Sequence, residues 1–234
     1  MPMWGSWKFQ DAVYDLAQDV AAFYELVMCL VVFVLSLVLC GLCWVLLSRG
    51  NYKKLKEHKG AEFLWCLLPS LSLLAMCIPS MHYLYMLDEI GKPTLSLKAI
   101  GHQWYWSYEF SGKNGSVLGF DSFLDRGGDG YRMLDVDHRM VAPVNTGIRW
   151  MVTSTDVIHS FSLPAVMLKA DAIPGRINEL SMYVRQCCIL YGQCSEICGA
   201  NHSFMPIVVE FVPMSVFNRW WEAMCNLPDM VIIP

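Results

Sequence analysis

Two runs of apolar residues dominate the N-terminal third of the chain, Leu26 to Leu47 and Phe63 to Leu87. The first holds no charged residue. At 1.5 Å rise per residue it reaches ~33 Å, enough to cross a hydrocarbon core of ~30 Å. It is apolar on every face, whereas a helix lying on a soluble core would carry a single stripe. The second run contains Pro69 and Pro79. Both should kink it, which a membrane helix packed on neighbours tolerates. Between the runs, Ser48 to Gly60 carries Arg49, Lys53, Lys54, Lys56 and Lys59 against Glu57. The pattern predicts a transmembrane helical hairpin in a lipid bilayer. Its basic loop belongs on the cytoplasmic or matrix side, and both chain ends on the other.

After Asp88 the pattern shifts to a period of two. Leu95-Ser-Leu-Lys-Ala-Ile100, Arg132-Met-Leu-Asp-Val-Asp137, Ile148-Arg-Trp-Met-Val152 and Ile207-Val-Val-Glu-Phe-Val212 alternate apolar and polar positions. Turn clusters such as Gly127-Gly-Asp-Gly130 and Ala142-Pro-Val-Asn-Thr-Gly147 separate them. This predicts strands of an all-β sandwich or barrel. Ser215 to Leu227 reads as a closing helix, and Gly112 to Gly130 as a flexible surface loop. The expected division is an anchor over 1–90 and a β domain over 91–234.

Composition agrees with an anchor plus one globular domain: 55% of residues are hydrophobic and 16% charged. Residues 1–25 carry Asp11, Asp15, Asp19 and Glu25 against Lys8, which does not suit a secretory signal. Six basic and six acidic residues leave 1–87 neutral. Eleven Lys and Arg against fifteen Asp and Glu give 88–234 the whole net charge of −4. An acidic exposed domain favours a basic partner, and no nucleic acid is expected. Of the ten cysteines, Cys29, Cys40, Cys43, Cys66 and Cys77 lie in apolar runs and read as small hydrophobes. Cys187, Cys188 and Cys225 fit no motif, and no disulfide framework is implied.

The candidate chemistry lies in Tyr191-Gly-Gln-Cys-Ser-Glu-Ile-Cys-Gly-Ala-Asn-His-Ser-Phe-Met-Pro206. Cys194, Cys198, His202 and Met205 are spaced C-x₃-C-x₃-H-x₂-M, and Gly199, Asn201 and Pro206 mark a loop. Thiolates with imidazole suit zinc or copper, and a thioether shifts the balance toward copper. A second imidazole, His159, follows the polar turn Thr155-Asp-Val-Ile at a strand end. Taken singly, His159 would be an ordinary satisfied histidine and Met205 a packing residue. Together, the two cysteines and two histidines also fit a structural zinc site. Glu62, at the start of the second apolar run, is a functional candidate because acids at that depth are costly. In Trp104-Tyr-Trp-Ser-Tyr108, strand alternation would put Trp104, Trp106 and Tyr108 on one face. That string reads either as core and membrane-surface anchoring or as an exposed indole that hands electrons to the metal.

The 191–206 loop, with Asp171-Ala-Ile-Pro-Gly-Arg176 and Gly101-His-Gln-Trp-Tyr-Trp-Ser-Tyr-Glu109, resembles subunit II of the haem–copper cytochrome c oxidases over essentially the full length. The resemblance implies a cupredoxin-like Greek-key β-barrel or sandwich behind the two-helix hairpin. It implies a dinuclear copper centre bridged by Cys194 and Cys198. His159 and His202 would each complete one copper, with Met205 and the Glu196 carbonyl as weak axial ligands. The Glu196 carboxylate would share Mg²⁺ with the large haem-bearing subunit, near Asp171 and Arg176. Trp104 would receive electrons from cytochrome c, docked on Glu109, Asp137 and Asp156, and Glu62 would lie near the mouth of a proton path. The implied setting is the mitochondrial inner membrane, β domain toward the intermembrane space, or a bacterial plasma membrane facing the periplasm. A quinol-oxidase-like subunit would keep the fold without copper ligands, and the intact ligand set argues against it. The loop Phe110-Ser-Gly-Lys-Asn-Gly-Ser116 departs from relatives in being poor in acids.

Overall fold

The two apolar runs form the helices α1 (Asp15–Leu47) and α2 (Lys59–Asp88) in a computed structural model of the chain. It describes residues 5, 7–50, 57–89, 93–112, 117–127, 130–226 and 231–233. Both helices are long and apolar enough to cross a membrane. Their side chains from Val31 to Leu47 and from Phe63 to Leu71 are almost all exposed, as lipid-facing residues must be. Helix α1 starts eleven residues before the apolar run, at Asp15. Helix α2 is a single helix with Pro69 and Pro79 inside it. The middle of the basic loop, 51–56, lies outside the described residues, as do 113–116 and 128–129 of the loop expected between Gly112 and Gly130.

The chain falls into two compact units, Asp19–Met86 and Met1–Gln18 with Leu87–Pro234. The first eighteen residues therefore group with the β domain. Val13 and Tyr14 pack against its core, and the Val13 N–H donates to the Ala165 carbonyl (3.2 Å).

The β domain is a sandwich. One sheet runs β11 (Val231–Ile233), β3 (Val117–Ser122), β2 (Tyr105–Ser111), β1 (Leu95–His102), β5 (Ile148–Ser154) and β8 (Asn178–Met182). In it β1 and β5 are parallel and the other pairs antiparallel. The second sheet orders β4 (Met140–Pro143), β10 (Pro206–Val212) and β9 (Cys188–Gln193), and β6 (His159–Leu163) pairs with β7 (Leu168–Ala172) as a hairpin.

Alternation explains which side chains enter the core. Along β5, Ile148, Trp150, Val152 and Ser154 are buried and the residues between them are not. Along β2, Trp106, Tyr108 and Phe110 point inward. Strand β10 is buried nearly throughout because it lies between β4 and β9. Its Ile207, Val209 and Phe211 join the main core, while Val208 packs with Val136 and Tyr191 in a separate cluster. Helix α3 (Met214–Cys225) caps one end, its Trp221 ring 4.7 Å from that of Phe110.

One expected strand does not form. Arg132 to Asp137 contains a turn, and only Val136 makes an isolated bridge, to Leu124. Met133 has φ +65°, and the Asp135 carboxylate is engaged by the Arg139 guanidinium, so the local chain folds on itself. Trp104 is likewise not a strand residue. It sits with Gln103 in the turn between β1 and β2, out of step with Trp106 and Tyr108.

Candidate metal centre

Strands β6 and β9 carry the candidate ligands toward one another. His159 opens β6 at the end of the 155–158 turn, and Cys194 follows β9 directly. Their close approach depends on Gly192, whose Cβ, if present, would collide with the Ser162 carbonyl oxygen. The Ser195 N–H donates to the Ser160 carbonyl (3.0 Å), which pins the loop after β9 to β6. The loop then turns through Gly199 at φ +123°, where a side chain would be strained and would press on Trp104. A short 3₁₀ turn, His202–Phe204, leads to Met205 and β10.

The donors are sheltered from water. His159, Cys194, Cys198 and Met205 are all buried, His159 completely. The two sulfurs lie 4.0 Å apart. On one side, Cys194 Sγ is 3.9 Å from His159 Nδ1 and 3.3 Å from the Glu196 carbonyl oxygen. On the other, Cys198 Sγ is 3.5 Å from His202 Nδ1 and 3.5 Å from Met205 Sδ. The donors thus divide into two sets, one about each cysteine.

This arrangement fits soft metal ions. Thiolate sulfur binds such ions at ~2.3 Å, so a separation of 4.0 Å lets one ion touch both sulfurs. A single tetrahedral ion would need four donors within ~4 Å of one another. Among the described residues, only three donor atoms, those of His159, Cys194 and Cys198, cluster within 4.8 Å of one another, and His202 stands outside that group on the Cys198 side.

Protonation distinguishes the two cysteines. Burial pushes the Cys194 thiol up, but hydrogen bonding with His159 and with the backbone at Glu196 and Ser160 outweighs it and brings the pKa down to about 7. Burial and the neighbouring Cys194 charge push Cys198 up, to about 12. For His159, burial lowers the pKa, but Cys194 and Asp156 raise it overall. Metal must displace these protons, so loading should weaken as pH falls. We expect copper uptake to release about one proton per chain at pH 8, from Cys198, and about two or more at pH 6, as Cys194 and His159 contribute. An indicator dye in weak buffer measures this; equal release at both values would contradict it.

Trp104 is half-buried against the loop, its indole Nε1–H donating to the Cys198 carbonyl (3.3 Å). Gln103 Nε2 donates to the same oxygen (2.7 Å). Trp106 Nε1 donates to the Met205 carbonyl (3.3 Å), and its ring meets His159 edge-on at 6.0 Å. Sequence reasoning did not single out Gln103, and it gave Trp106 no supporting role, although both stand in the Gly101–Glu109 segment.

The three acids named as docking candidates differ. Glu109 pairs with Lys98 (2.7 Å), directly opposite it in the β1–β2 register. Asp137 accepts from the Phe123 and His138 N–H groups (2.8 and 2.7 Å). Asp156 faces the His159 ring, Oδ1 lying 2.8 Å from Nε2. Burial raises the Asp156 pKa, but hydrogen bonds from His159, Val157 and Gln103 hold it below its usual value. The Asp171 carboxylate accepts from Ser160 Oγ (2.9 Å), Arg176 is exposed, and the Glu196 side chain is half-exposed. Glu62 is exposed in the first turn of α2.

Comparison with known proteins covers nearly the whole chain. Residues 95–212 match the family model described as cytochrome C oxidase subunit II, periplasmic domain, and residues 2–83 match its transmembrane domain. Cytochrome c oxidase subunit 2 of Mytilus edulis is 44% identical over 96% of this chain and 100% of its own. The Drosophila melanogaster protein of the same name is 43% identical over 94% and 97%. Among solved structures, the periplasmic domain of subunit II of cytochrome oxidase from Bradyrhizobium japonicum is 45% identical, with a TM-score of 0.55. It covers 58% of this chain and 96% of that one. A mixed disulfide intermediate between a thioredoxin-like protein and subunit II of cytochrome c oxidase gives 44% identity and a TM-score of 0.52 over 59% and 96%.

Proposed function

The chain belongs to the cytochrome c oxidase subunit II family, and we propose that it is the electron-accepting subunit of the oxidase, holding two copper ions in the 194–205 loop. The observation that carries this reading is the division of six donors into two sets about a pair of sulfurs 4.0 Å apart. Bound there, a copper pair would supply one-electron chemistry, at a potential tuned by Met205, the Glu196 carbonyl and surrounding hydrogen bonds. The chain supplies the rest. Both cysteines, His159 and Met205 are buried and His202 is half-buried, which would leave the donors little freedom to rearrange between redox states. All donor positions are filled by the chain, so dioxygen would be reduced elsewhere, at the haem of the large catalytic subunit, with proton pumping.

The external partner in this reading is cytochrome c, a basic one-electron donor suited to a domain of charge −4. It would dock over Trp104, with Glu109, Asp137 and Asp156 contributing negative potential. On the other border, the Glu196 carboxylate would give one hard oxygen to Mg²⁺ shared with the large subunit, beside Asp171 and Arg176. Glu62 would serve proton delivery near the basic loop. The helices would span the mitochondrial inner membrane, with the β domain in the intermembrane space. Opposing this placement to a bacterial plasma membrane, the long full-length matches to animal relatives favour the mitochondrion.

Metal analysis tests the core of the reading. The full chain, purified in detergent and offered copper and zinc together, should hold two coppers, with one unpaired electron shared by both nuclei in its EPR spectrum. One copper, or zinc alone, would overturn the dinuclear reading. Met205→Leu should keep both coppers and raise the reduction potential, because a thioether that stabilises the oxidised state is lost. An unchanged potential would remove Met205 from the ligand set.

A further inference from the structure

Asp156 differs from an acid that serves only as surface charge. Its side chain is 31% exposed and both its oxygens are committed. Oδ2 accepts from the Gln103 backbone N–H (2.7 Å). Oδ1 accepts from the Val157 N–H (2.6 Å) and lies 3.3 Å from Ser154 Oγ and 2.8 Å from His159 Nε2. The imidazole is therefore held between two partners, Cys194 Sγ facing Nδ1 and the carboxylate facing Nε2. Gln103 in turn reaches the Cys198 carbonyl through its side chain, and Trp104 reaches the same oxygen. One carboxylate thus ties a ligand imidazole to the turn that braces the other cysteine.

A carboxylate on the far nitrogen of a ligand histidine fixes the ring's tautomer and tilt and makes it a stronger donor. An acid that only steers a partner needs none of these contacts, and exposed charges change association rates more than structure. We propose that Asp156 is a positioning residue of the metal centre. One oxygen orients His159 toward the sulfur pair, and the other holds the Gln103–Trp104 turn against Cys198. This rests on the dinuclear copper reading, which the wild-type EPR spectrum tests by itself.

The experiment compares Asp156→Asn with Asp137→Asn in the full detergent-purified chain loaded with copper. Both changes remove one negative charge. Asp137 contacts the Phe123 and His138 N–H groups and the His138 ring, none of which is a candidate donor. In Asp156→Asn the amide sets an N–H₂ against either the Gln103 N–H or His159 Nε2–H. Copper retention against a chelator should fall about 10–100-fold, the reduction potential should rise, and the copper spectrum should change. Asp137→Asn should keep retention, potential and spectrum, and only slow association with cytochrome c in a salt-dependent way. Asp156→Glu, which keeps the charge but moves the oxygens, should still perturb the spectrum. The proposal is overturned if Asp156→Asn matches Asp137→Asn in all readouts. A measurement on the wild type covers a variant that does not fold. The His159 Nε2 proton should exchange slowly in NMR spectra of the copper-loaded chain, and rapid exchange there overturns the proposal equally.

Discussion

Cys198→Ser is expected to abolish the proposed two-copper centre: the variant should hold at most one copper and lose the spectrum of an electron shared between two nuclei. Cys198 Sγ is the hub of its half of the site. It lies within 3.5 Å of both His202 Nδ1 and Met205 Sδ and 4.0 Å from the other sulfur. A serine oxygen is a hard donor, stays protonated near neutral pH and does not bridge soft ions. The remaining donors, Cys194, His159 and the Glu196 carbonyl, still face one another and can keep a single ion. Copper affinity at the lost position should drop by more than the ~10–100-fold typical of outer-shell changes. Oxidase turnover with reduced cytochrome c should fall with it. Copper analysis and EPR check the outcome. Two retained coppers with shared hyperfine structure would show that Cys198 is no bridge. Folding should survive, because the loop stays pinned by the Ser195–Ser160 hydrogen bond and the Gly192 contact.

The cluster of candidate donors was legible because metal sites restrict residue type and spacing. Cys194, Cys198, His202 and Met205 lie on one short loop, so the sequence alone places them within reach of each other. The strands at Leu95 and Ile148 were legible because their alternation matches a sheet buried on one face, and the strand at Ile207 because its run is apolar almost throughout, as a strand buried on both faces is. The same signal misled at Arg132 to Asp137, where the Asp135–Arg139 pair holds the chain in a turn. Hydropathy marked the stretch suited to lipid, yet α1 begins at Asp15, because helix length is not bound to the apolar run.

What the sequence withheld is direction. Asp156 stands three residues before His159, and nothing in that spacing says whether its carboxylate meets solvent or the imidazole. Glu109 reads as a free acid until the β1–β2 register sets Lys98 opposite it. Trp104 reads as part of a strand until the turn after His102 breaks the alternation and swings the indole onto Cys198. The Trp104–Cys198 contact spans most of the domain's sequence, while the other two are short-range, and all three depend on a turn or register that no local pattern states.

Trp104→Ala is expected to leave the copper centre intact while reduction by cytochrome c slows about 100-fold, some 2.7 kcal/mol on the activation scale. The indole is half-buried, with one edge on the surface and its N–H on the carbonyl of Cys198. A donor docked over it would reach Cys198, the proposed bridge, through one hydrogen bond and the backbone of that residue. Alanine removes that path without removing a ligand. The Cys198 carbonyl keeps its shorter hydrogen bond from Gln103 Nε2 (2.7 Å), and the buried core lies beneath Trp106, which is untouched. Donor affinity should change about twofold at most, since the acids around the site remain and rim contacts add little binding energy. Trp104→Phe separates the two features of the indole. It keeps the ring and loses the N–H, so an intermediate rate would assign part of the coupling to the hydrogen bond. Stopped-flow oxidation of cytochrome c, run beside copper content and EPR, decides the matter. A Trp104→Ala chain that is copper-loaded and accepts electrons at the normal rate would take Trp104 out of the path. One that loses copper and donor binding together would make it a packing residue of the loop.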